Sequence, residues 1–132
     1  MIVPADNDSI ETMADLSGKT VAVELGSLGH VEATEWAKRV ENLEIMTFST
    51  ADEAITAVQE SITHAALTDA ISGRLFLRDH DGLKRLPDSV TVEPFALVVR
   101  SEDEQLLDVL NQSLATLQQS GQLDQIEVKW LE

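Results

Sequence analysis

At 132 residues the chain has the length of one ordinary domain, and its 43% hydrophobic content without any long apolar run excludes both a disordered composition and a transmembrane helix. Nine Lys and Arg against 24 Asp and Glu give a net charge of -15, which disfavours nucleic acid and the anionic face of a bilayer as partners. There is no cysteine, so zinc–thiolate, thiol-nucleophile and disulfide chemistry fall away.

The acids are spread along the whole chain, as on a strongly solvated surface. "MIVP" predicts a short edge strand, because Pro4 cannot donate to a ladder. A polar connection follows, "DNDSIETMADLSGK", with one helical turn stopped by Gly18. "TVAVEL", Thr20 to Leu25, is apolar on both faces and reads as a central strand of a covered sheet. The covering helix begins near Gly29, where Ala33, Trp36, Ala37 and Val40 fall on one face. "LEIMTF" predicts the next strand. Thr50 and Glu53 are spaced as a capping box, opening a helix that buries Ala51, Ala54, Ile55 and Val58.

"HAALTD" predicts a third strand ending on Asp69, "AISGRLFLRD" a helix, and "GLKRLP" a short extended piece. This alternation of strand and helix argues for an α/β fold with a mostly parallel sheet between helical layers, a three-layer αβα sandwich. After Pro87 the pattern changes to one strand, "VEPFALVVR", and then two helices with no strand between them. Ser101 and Glu104 are spaced as a second capping box. Leu106, Leu107, Leu110, Leu114 and Leu117 make a wide apolar stripe on the helix that follows, and Gly121 is placed to end it. Leu123, Ile126 and Trp130 supply one face of the last helix.

In an open α/β sheet ligands lie beyond the carboxyl ends of the strands, which directs attention to Glu24–Gly29, Phe48–Thr50 and Thr68–Ala70. Gly26 and Gly29 permit a tight turn with close backbone approach. The following helix offers free N–H groups and a positive dipole end to a carboxylate or phosphate, and Ser27 adds a hydroxyl. The same strand–glycine–helix pattern also serves as a purely structural turn. Asp69 either caps the next helix or meets a cationic group. An N–H-rich turn and a carboxylate on neighbouring strands suit a ligand carrying both charges, such as an amino acid. The turn is neither a Walker loop nor a dinucleotide fingerprint. His30, His64 and His80 lack metal-ligand spacing, and no cofactor is implied. Ser27 beside His30 lacks the elbow and third group of a nucleophilic triad.

Five segments in order, "DLSGKTVAVELGSLG", "FSTADEAITAVQES", "HAALTDA", "PFALVVRSED" and "LATLQQSGQLDQIEVKWL", resemble the extracellular solute-binding proteins of family 3, the polar amino-acid receptors of ABC-type importers. The resemblance implies a lobe of the type II periplasmic-binding-protein kind, with two C-terminal helices added. It makes residues 1–14 a hinge strand and connection, 15–92 the second lobe of a two-lobed clamshell, and 93–132 a return strand and helices that complete the first lobe. It also implies that the rest of the first lobe is missing from this sequence. By the same resemblance Gly26 and Ser27, with the main-chain donors of Leu28 and Gly29, bind the α-carboxylate of the ligand. Asp69 binds its α-ammonium. Leu28 departs from the Thr or Ser usual beside that serine, which removes one hydroxyl.

The implied partners are an amino acid, a membrane permease and, through the exposed leucine stripe, a second copy of the chain. The implied location is periplasmic or extracellular in the parent protein, and a sensor's outer domain is the alternative setting. "MIVPADNDS" itself has neither the basic nor the apolar stretch of a secretion signal. Two rivals of another class are a phospho-receiver domain, whose clustered acids Glu24-Leu25-Gly26 does not supply, and a clamshell-derived enzyme, for which no acid–base pair stands out.

Overall fold

The computed structural model describes residues 1–92 and 94–131. The chain divides into two compact units, Met1–Val92 and Glu93–Glu132. The first unit runs β1 (Ile2–Pro4), a 3-10 turn (Met13–Leu16), β2 (Thr20–Glu24), α1 (Leu28–Ala37), β3 (Glu44–Phe48), α2 (Ala51–Gln59), β4 (Ala65–Leu67), α3 (Ala70–Asp79) and β5 (Leu83–Arg85). Its strands form one sheet in the order β3-β2-β4-β1-β5.

β2 lies parallel to both β3 and β4, with Val21 opposite Ile45 on one side and Ala65 on the other. β1 runs antiparallel to β4 and β5 and is the one reversed strand of the sheet. Alternation along the strands sorts side chains to two faces. Val21 and Val23 of β2, Val3 of β1 and Leu67 of β4 pack with Ala33 of α1 and with Met13 and Leu16 of the 3-10 turn. Ala22, Ala66 and Ile2 point the other way, against Ala54, Ile55 and Val58 of α2 and Phe76 of α3. This is the three-layer αβα arrangement, and β2 is buried on both faces as its composition predicts.

Two caps show why the helices start where they do. Thr50 Oγ1 accepts the Glu53 N–H at 3.2 Å, and the Glu53 carboxylate reaches back to the Ser49 N–H at 2.9 Å. Such a cap contributes about 1 kcal/mol to the helix. α1 starts at Leu28, capped by Ser27.

Three expectations are corrected. β1 is interior to the sheet, between β4 and β5, not at its edge. Pro4 is tolerated there because the β1–β4 pairing registers at Ile2 opposite Ala66, short of the proline. On the other side Ala5 supplies the next N–H, to Gly82 O at 2.9 Å. Second, residues 94–100 form no strand, and Phe95 and Val98 stand 83% and 91% exposed. An extended apolar run becomes a strand only when a neighbour takes up its backbone groups, and among the described residues none does. Third, the capping box at Ser101 does not form. The helix α4 (Glu104–Gln119) starts after Asp103 with no side-chain cap, and Ser101 Oγ donates to the Glu102 carboxylate at 3.2 Å instead.

In the second unit α4 ends at Gly121, whose φ of 71° supplies the left-handed residue after the cap, and α5 (Gln122–Leu131) follows. No side chain of α4 is buried, and Leu106, Leu107 and Leu114 are exposed.

Candidate functional site

The carboxyl ends of β3, β2 and β4 lie side by side, because these three strands are adjacent and parallel. Beyond β2 the chain extends its ladder by one bond, Leu25 N–H to Phe48 O at 2.9 Å, and then turns. Gly26 makes the turn with φ at 82°, a left-handed conformation that costs a side-chain-bearing residue roughly 1–2 kcal/mol. The Ser27 N–H closes the turn on Glu24 O at 3.2 Å. Ser27 is the N-cap of α1, its Oγ accepting the His30 N–H at 3.1 Å, so that its own hydroxyl proton remains a donor.

Leu28 and Gly29 occupy the first two positions of α1, where no preceding turn of helix offers a carbonyl. Their N–H groups form the positive end of the helix dipole. Gly29 has a second reason to be glycine: a Cβ there would run into the carbonyl oxygen of Leu67. That contact seats the turn on the end of β4, two residues before Asp69.

Asp69 caps α3. Its Oδ1 accepts the N–H groups of Ile71 and Ser72 at 3.0 and 2.9 Å. Partial burial pushes the carboxyl up, but the Ser72 hydroxyl and the main-chain donors of Ser72 and Ile71 outweigh it and hold the group below its ordinary range. Asp69 is therefore a charged carboxylate at neutral pH, and it is exposed. Capping and binding a cation were alternatives in the sequence; the fold realises the first and leaves room for the second.

The third candidate set, Phe48–Thr50, is committed elsewhere. Its Ser49 N–H is taken up by the Glu53 carboxylate, and Thr50 Oγ1 accepts the Glu53 N–H in the α2 cap. Beyond the ends of the adjacent parallel strands β2 and β4 lie a pair of main-chain donors at Leu28 and Gly29, a hydroxyl at Ser27 and an anionic carboxylate at Asp69. Leu25 and Leu28 bring apolar, exposed side chains to the same turn. Sequence reasoning overlooked what the His30 ring does. Its Nδ1 accepts the Gly26 N–H at 3.2 Å, an arrangement whose one visible signal was the four-residue spacing across an N-cap.

The family model for bacterial extracellular solute-binding proteins, family 3, matches residues 5–132, and the chain belongs to that family. Among curated relatives it is 26% identical to the arginine-binding extracellular protein ArtP of Bacillus subtilis (strain 168), over 98% of this chain and 51% of that protein. It is 24% identical to the L-cystine-binding protein TcyJ of Escherichia coli (strain K12), over 98% of this chain and 48% of that one. A solved structure of an ancestral cationic amino acid solute-binding protein superposes with a TM-score of 0.82 at 28% identity, over 99% of this chain and 56% of that one. The chain spans about half the length of the curated relatives it matches.

Proposed function

We propose that this chain is the second lobe and return segment of an extracellular receptor that delivers a polar amino acid to an ABC-type importer. In this reading residues 1–14 are the hinge strand and connection, 15–92 the second lobe, and 93–132 the segment that returns to the first lobe. The observation that carries it is the placement, beyond adjacent parallel strands, of two main-chain donors in the first turn of α1, Leu28 and Gly29, and the charged Asp69. An α-carboxylate fits the first and an α-ammonium the second. Relatives named for arginine and L-cystine support the ligand class, since both carry that zwitterionic end. The role is binding and release, not catalysis, and the setting is outside the cytoplasmic membrane, beside a permease.

A single lobe leaves the far side of such a ligand in water. The isolated chain should therefore bind in the millimolar range, about 4 kcal/mol, and not at micromolar affinity. Amide-resolved NMR titration with arginine, glutamine and cystine tests this directly. Saturable shifts at Leu28, Gly29 and Asp69 are expected with the free amino acid and not with its N-acetylated amide. Equal shifts with the blocked form, or none with either, overturn the site. Micromolar affinity in calorimetry overturns the half-site reading.

A further inference from the structure

The turn that offers Leu28 and Gly29 is tied down by one residue that neither composition nor the family match singles out. His30 bonds the turn twice: its main-chain N–H goes to Ser27 Oγ at 3.1 Å, and its ring Nδ1 receives the Gly26 N–H at 3.2 Å. A main-chain N–H can only donate, so Nδ1 here carries no proton and the neutral ring holds its proton on Nε2. The result is a loop closed from Gly26 to His30 around the three residues that face the ligand. It also settles which donors remain: the Gly26 N–H is spent on the imidazole, that of Ser27 on Glu24 O and that of His30 on Ser27 Oγ.

Resting on the amino-acid reading above, we propose that His30 is a positioning residue of the carboxylate turn, in which the neutral Nε2–H imidazole takes up the Gly26 N–H and leaves Leu28 and Gly29 as the main-chain pair presented to ligand. The other histidines supply internal references. His64 Nδ1 accepts the Thr20 N–H at 3.1 Å and requires the same tautomer. His80 Nδ1 lies 2.8 Å from the Phe76 carbonyl oxygen, which can only accept, and requires a proton on Nδ1.

Long-range nitrogen–proton NMR of the full chain at mildly alkaline pH reads the tautomers without any ligand. His30 and His64 are expected protonated at Nε2, with His80 protonated at Nδ1. A proton on Nδ1 of His30 overturns the proposal. Two variants separate the hydrogen bond from packing. In His30→Asn the Oδ1 oxygen stands in the place of Nδ1 and can accept the same N–H, whereas His30→Leu fills the space without an acceptor. Gly26 amide exchange is expected to stay near wild type in His30→Asn and to quicken about five- to tenfold in His30→Leu. The half-saturation for added arginine, read at the Leu28 and Gly29 amides, should rise in His30→Leu and be rescued in His30→Asn. Unchanged Gly26 exchange in His30→Leu overturns the tie. A wild-type turn that no amino acid shifts, with tautomer and exchange as expected, counts against the amino-acid reading and not against the tie.

Discussion

Asp69 caps α3 and, in the proposed reading, also meets the ligand's ammonium, and substitution can separate the two. Asn is as good an N-cap as Asp but uncharged, so Asp69→Asn should leave thermal stability nearly unchanged and abolish the ligand shifts. Asp69→Ala should lose both, with a stability cost of about 1 kcal/mol in denaturant unfolding. Because the folded-state carboxyl lies below its ordinary range, its stabilisation is present above the unfolded-state value and disappears as pH falls through the lower, folded one. Unfolding of the wild type should therefore sharpen below roughly pH 4, and Asp69→Asn should show a weaker dependence across that window. Gly29 is constrained by space: Gly29→Ala sets a methyl against a main-chain carbonyl that a strand holds in place. We expect a loss of about 1–3 kcal/mol and displacement of the Leu28 and Gly29 amide signals. Gly26, where a Cβ would meet nothing, should cost only its left-handed strain.

At the level of elements, two sequence signals of the same form met different fates. Thr50 and Glu53 cap α2 because that helix buries Ala54, Ile55 and Val58, and the cap only trims an end already fixed by packing. Ser101 and Glu104 have the same spacing, but α4 has no buried side chain, starts instead after Asp103, and the box is not made. The same contrast explains residues 94–100, whose apolar alternation is legible but whose strand requires a partner that local sequence does not encode. Leu106, Leu107 and Leu114 on α4 pose the matching question of what covers them. In the chain by itself we expect this stripe either to repack onto the sheet or to pair two copies, and its exposure favours pairing. Sedimentation should show a dimer at micromolar concentration that Leu107→Lys with Leu114→Lys converts to monomer. A monodisperse wild-type monomer would contradict this.

For the whole molecule, a net charge of -15 means that the compact state works against its own field. Added salt screens exposed charges over about 3 Å at molar concentration, against roughly 10 Å at 0.1 M. The midpoint of thermal unfolding should accordingly rise between low and molar sodium chloride, and a flat response would argue that the acids are balanced locally. The parallel part of the sheet was readable because β2 is apolar on both faces and α2 carries a periodic stripe. The place of β1 was not, since Pro4 signals an edge and only the register shows that the proline lies past the pairing with β4 while still standing opposite Leu83 of β5. That placement has a consequence for assembly. Within this unit β1 can be built in only after β4 and β5 have been synthesised, and the Leu86 N–H closes on Met1 O at 2.9 Å. With the seam between the ends of this unit as its last stitch, the nascent unit waits through several seconds of synthesis with its centre open, and is the stage at which a chaperone would find it.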